Sequence, residues 1–108
     1  MRSGVGFGRW AIALGLAGVL FWGCGAGERP PDPAVARATR AQALIEAGNE
    51  AYRAGDYRLA AKRYAAAAVV RKDDPAAYFG MGMALSKLGR QEEAHAAYER
   101  SRELARKR

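Results

Sequence analysis

One cysteine and one histidine in 108 residues close off much of the chemistry a protein can do. Cys24 alone cannot form an intramolecular disulfide or a cysteine-based metal cluster. Nucleophilic catalysis needs a serine or cysteine with a positioned base. The lone base, His95, falls on the outer part of a predicted helix, where a solvated residue is expected. Gly4, Gly6 and Gly8 follow no strand, so they make no phosphate loop. Asp73 and Asp74 lack the further oxygen ligands that calcium requires. No catalytic residue, metal or cofactor is therefore expected, and the chain reads as a non-enzyme. Long apolar runs are also missing. The one from Trp10 to Trp22 falls short of the about 20 residues that span a bilayer.

The charge that is present is basic, with eighteen Lys and Arg against eleven Asp and Glu and a formal net of +7. Acidic residues are scattered among the cations except at Arg106-Lys107-Arg108. There is no basic stripe interleaved with aromatics of the kind single-stranded nucleic acid needs, so nucleic acid is not an expected partner.

The most informative feature is an echo. Ala43, Gly48, Gly55, Ala60 and Tyr64 return 34 positions later as Ala77, Gly82, Gly89, Ala94 and Tyr98. A fixed period of this length marks a stacked-repeat architecture. Start and stop signals agree with it. Asp32-Pro33 and Asp74-Pro75 each pair an N-capping carboxylate with proline at the first helical position. Gly55 and Gly89 supply the left-handed residue that closes a helix, and Asp56 can cap the next one. The spacing predicts four helices at about 33–54, 57–72, 75–88 and 91–106. Connections this short force antiparallel neighbours.

Packing follows from the small residues. Gly48 against Ala60, and Gly82 against Ala94, should let paired helices approach closely. Tyr64 and Tyr98 should fill the wider gap beyond, with the ring buried and the hydroxyl wet. The run Ala65-Ala66-Ala67-Ala68-Val69-Val70 is apolar on every side, as a sandwiched helix would be. The last helix is amphipathic and suits an end cap. It turns Ala94, Tyr98, Ser101 and Leu104 inward and Glu92, Glu99, Arg102 and Arg106 outward.

On these residues the chain resembles tetratricopeptide repeats, 34-residue helical hairpins. In repeat one, about 41–74, the resemblance rests on Leu44, Gly48, Tyr52, Gly55-Asp56-Tyr57, Ala60, Tyr64 and Ala67. In repeat two, about 75–108, it rests on Tyr78, Gly82, Leu85, Gly89, Glu93-Ala94 and Tyr98. Ala47 and Ala51 stand where larger residues are usual, and Lys72 where proline is. The resemblance implies an all-α fold of two hairpins in a right-handed superhelix. It also implies a concave face made by the first helix of each hairpin, lined by Ile45, Asn49, Tyr52, Arg53, Phe79, Met83, Ser86 and Lys87. Such a face holds an extended peptide or a helix. Chaperone-binding relatives clamp a peptide carboxylate there. Asn49 fits that clamp, but Ile45 and Gly80 replace its lysine and second asparagine.

Residues 1–23 read as a signal peptide, with a basic start (Arg2, Arg9) and then a short apolar run. Gly23-Cys24 resembles the processing box of bacterial lipoproteins, although Phe21 and Trp22 depart from it. The resemblance implies lipidation at Cys24 and a flexible tether over 24–32, ahead of a domain at 33–108. Gly25, in place of the aspartate that retains enteric lipoproteins in the inner membrane, implies the outer membrane, facing the periplasm. An uncleaved signal anchor, or a secreted chain cut near Ala26, are the alternatives. The expected function is a membrane-tethered adaptor or scaffold for a protein or peptide partner in the bacterial envelope. The rivals are a self-assembling structural subunit and a basic membrane-surface protein.

Overall fold

Three of the four helices begin where a carboxylate finds the backbone N–H groups that a helix start leaves orphaned. In the computed structural model, which describes residues 29–108, the Asp32 side chain accepts from the Ala34 N–H at 2.8 Å and opens α1, Pro33–Arg53. Asp56 accepts from Leu59 at 3.1 Å and opens α2, Tyr57–Val70. Asp74 accepts from Ala76 at 3.0 Å and opens α3, Pro75–Lys87. The fourth helix, α4, Gln91–Arg106, starts from Arg90 without a side-chain cap. Instead the Arg90 guanidinium reaches forward to both Glu93 oxygens, at 2.7 and 2.6 Å. The expected signal segment, Cys24 and most of the tether lie outside the described residues.

Helix ends follow the glycines. Gly55 and Gly89 have φ of 81° and 79°. At the first turn the Asp56 N–H reaches the Ala51 carbonyl and the Gly55 N–H reaches Tyr52; at the second, Arg90 reaches Leu85 and Gly89 reaches Ser86. These are the two bonds of a Schellman stop, made twice 34 residues apart. Of the two helices without such a glycine, α2 ends two residues before the predicted 72, where Arg71 turns extended at φ −132° and ψ 101°.

Residues Pro31–Arg108 form one unit of two antiparallel hairpins, α1–α2 and α3–α4, with α3 packed mainly on α2 and more lightly on α1. Tyr64 is the largest fully buried side chain among the described residues, 1% exposed, in a cluster with Ile45, Ala51, Ala60, Ala67, Ala77 and Ala84. Two expectations change at this point. The close partner of each glycine is an aromatic ring more than an alanine. A Cβ at Gly48 would lie 2.8 Å from the Tyr64 ring, and one at Gly82 would lie 2.6 Å from the Tyr98 ring. Nor is the Tyr64 hydroxyl wet: it donates to Asn49 Oδ1 at 2.5 Å. Burial pushes its phenol above the usual range, which keeps it a neutral donor.

The sandwiched helix is only partly so. Ala67 and Ala68 are buried, but Val69 is 75% exposed because only α1 and α3 cover α2. In α4, Ala94, Ser101 and Leu104 are buried as expected, joined by Ala97, while Tyr98 is half-buried. The Ser101 hydroxyl donates to the Pro75 carbonyl at 2.9 Å and ties the last turns of α4 to the start of α3.

Candidate partner-binding surface

The first helices of the two hairpins carry all eight residues expected to meet a partner, and burial divides them. Ile45, from α1, is 7% exposed in the core cluster that α3 completes with Ala77 and Ala84, so it serves packing and offers no surface. Asn49 is half-buried, and its side-chain oxygen is spent on Tyr64. Tyr52 is half-buried against the core and meets Tyr57 edge-on, with centroids 5.1 Å apart at 66°. Arg53 is exposed at the end of the same helix.

The α3 residues are more open. Phe79 is 51% exposed and packs one side of its ring on Tyr98, with centroids 5.5 Å apart. Met83 is half-buried one turn further on. Ser86 is half-buried, and its carbonyl accepts from the Gln91 side chain at 3.2 Å. Lys87 is exposed, with Nζ 5.9 Å from the Tyr57 centroid. That contact brings the two hairpins together through Tyr52, Tyr57 and Lys87, at the end where α1 and α3 finish.

What remains for a ligand is an apolar group, Phe79, Met83 and the open side of Tyr98, with Arg53 and Lys87 as cations toward one end. Tyr57 and Tyr98 belong to second helices, so an assignment restricted to first helices passes over them. Their signal was the aromatic position itself, which in Tyr98 carries the 34-residue echo. A separate groove of about 510 Å³ runs between α2 and α3, over Ala61, Ala65, Met81 and Leu85 with Arg58 and Lys62 beside them. Among the described residues no group of three or more His, Cys, Asp and Glu side chains could hold a metal ion.

Neither the curated proteins nor the solved structures offer a match to this chain. Residues 75–108, which comprise α3 and α4, match the family model of the tetratricopeptide repeat, a non-catalytic unit that generally mediates protein–protein interaction. With four helices and no strand among the described residues, the fold is all-α, built of tetratricopeptide-type helical hairpins.

Proposed function

We propose that this chain is a membrane-tethered adaptor of a bacterial cell envelope, holding a peptide or helix of a partner protein on the surface led by Phe79. One comparison within the chain carries the reading. Ile45 and Phe79 occupy the same place in their hairpins, yet Ile45 is 7% exposed and Phe79 51%. Tyr64 and Tyr98 are a second such pair, one buried and one half-buried. In each pair the difference is one neighbouring helix: α3 lies on the first hairpin, and the second hairpin waits for an equivalent. A partner helix placed there would bury an aromatic anchor in the manner of an interface hot spot.

Self-assembly is the weaker reading, for a reason also on this surface. Gly80 of α3 seats against the Tyr64 ring, and the residue 34 positions earlier is Glu46. A second copy stacked in the same register would press the Glu46 carboxylate onto Tyr98, an uncompensated desolvation. A partner helix with glycine or alanine there meets no such cost.

The test is affinity capture from envelope membranes with the full chain and its Phe79→Ala/Met83→Ala variant. Loss of two apolar anchors should weaken the specific capture by roughly tenfold or more, with the circular dichroism of the helices unchanged. Equal recovery by both chains would place the partner elsewhere.

The tether is the other half of the proposal. Gly23-Cys24 at the close of a short apolar run supports lipid anchoring at Cys24, and Gly25 supports the outer membrane, facing the periplasm. Mass spectrometry of the membrane-extracted protein should find an acylated Cys24 as its first residue. A chain that still begins at Met1, or a soluble one beginning past Cys24, would end the lipoprotein reading.

A further inference from the structure

Antiparallel hairpins gather four helix termini at each end of the unit, and the two ends differ in charge. At one end lie the start of α1, the end of α2, the start of α3 and the end of α4, the last two joined by the Ser101–Pro75 hydrogen bond. This end carries Arg37, Arg40, Arg71, Lys72 and the run Arg106-Lys107-Arg108. Its carboxylates are already engaged. Asp32 and Asp74 cap α1 and α3, Asp73 and Asp74 lie 3.9 Å from Arg71, and Glu103 holds Arg100 and Lys107. Among the described residues no carboxylate comes within ion-pair distance of Arg37, Arg40, Lys72 or Arg106. At the opposite end Arg90 is matched by Glu93, and Arg53, Arg58 and Lys87 share the end with Glu50, Asp56 and Glu92, so the two signs balance there.

Apolar surface collects at the same basic end. A cleft of about 850 Å³ opens between the first turns of α1 and the end of α2, lined by Ala34, Ala38, Val69 and Val70, by Arg37, Arg40 and Lys72, and by the Arg71–Asp73 pair. Val69 is 75% exposed and Val35, in the first turn of α1, is 57% exposed. The chain enters the folded unit here too, since Pro33 is the first residue of α1. The eight residues from Gly25 to Asp32 reach at most roughly 25–30 Å, so an anchor at Cys24 would keep this end near the bilayer.

We infer that this end is a docking surface for an anionic lipid bilayer: Arg37, Arg40, Lys72 and the closing Arg106-Lys107-Arg108 meet lipid phosphates, and Val69 and Val35 enter the headgroup boundary. The pairing of cations with small apolar insertion is how a peripheral surface binds anionic lipid. Docked so, the four termini face the membrane. Phe79 and Met83 lie along the side, and Arg53 and Lys87 point away from the bilayer. The inference rests on the tethered reading for the side from which the membrane approaches.

The experiment uses the full chain on vesicles of phosphatidylglycerol and phosphatidylcholine, or of phosphatidylcholine alone. An environment-sensitive fluorophore is introduced as a non-natural amino acid at position 69, or at position 59 near the opposite end as control. Co-sedimentation reports whether the chain is attached, and quenching by spin-labelled lipid reports whether the labelled site is docked. Quenching at position 69 alone is expected, on the anionic vesicles alone. It should fall severalfold in about 1 M salt, where the screening length shrinks to about 3 Å, and likewise in an Arg37→Glu/Arg40→Glu/Lys72→Glu chain that still co-sediments. Attachment without quenching at position 69, or equal quenching at 69 and 59, overturns the docking inference and leaves the tether standing. Equal quenching on neutral vesicles overturns its electrostatic basis. Failure to co-sediment with either vesicle overturns both readings.

Discussion

Replacing Tyr64 with alanine is expected to cost about 3–5 kcal/mol, the range for truncating a buried aromatic side chain. That is comparable to the whole stability of a domain this small, so the Tyr64→Ala chain should be largely unfolded near 37 °C by circular dichroism, while the parent is folded. The reason is the seat. The ring is 1% exposed and projects from α2 between Gly48 of α1 and Gly80 of α3, so it joins three helices of the array. Alanine leaves a void whose walls are helix backbone, which cannot collapse inward as side chains can. With one cysteine there is no disulfide to compensate. Tyr64→Phe separates ring from hydroxyl. It keeps the packing and loses only the bond to Asn49, at about 0.5–1.5 kcal/mol. A Tyr64→Ala cost below about 1 kcal/mol in urea unfolding would show that the ring is not the keystone the geometry makes it.

Much of the fold was legible in the sequence because its signals are local. Asp32-Pro33 and Asp74-Pro75 mark helix starts through a side chain and a backbone two residues apart. Gly55 and Gly89 mark ends through their own φ. Burial was less legible, since it depends on what lies across the interface. Ala43 and Ala77 share a place in the echo, yet Ala43 is exposed and Ala77 fully buried, because only α3 has a hairpin in front of it. The same asymmetry divides the candidate site. Ile45 and Phe79 look equivalent in a repeat alignment, and only the position of each hairpin in the stack decides which is core and which is surface. Asn49 suited a peptide clamp by residue type, but its partner is a tyrosine fifteen residues away on the next helix. No periodicity within one helix reports that pair. The basic end is a product of topology, as its cations come from stretches far apart in sequence.

Gly80→Ala should change sign with its neighbour, and this is the sharpest test of the packing described. Alanine is normally better than glycine inside a helix by about 0.5–1 kcal/mol. At Gly80 a Cβ would fall on the Tyr64 ring well inside contact distance, and the ring cannot retreat because Gly48 lies close on its other side. Overpacking of this kind costs about 1–3 kcal/mol, enough to outweigh the propensity gain, so Gly80→Ala alone should destabilise. In a Tyr64→Leu background, which keeps an apolar filler and removes the ring, the clash is gone and the same substitution should be neutral or stabilising. Urea unfolding of the four chains gives the coupling directly, and contacting residues of this sort couple by about 0.5–3 kcal/mol. Additive costs would mean that α3 does not rest on Tyr64. The glycine matters beyond stability, because Gly80 against Tyr64 is the model within this chain for what a partner must bring to Tyr98. If the sign reverses at Tyr64, a designed helix presenting glycine to Tyr98 should bind better than the same helix presenting leucine. Small-residue complementarity would then be the rule by which the open hairpin selects its partner.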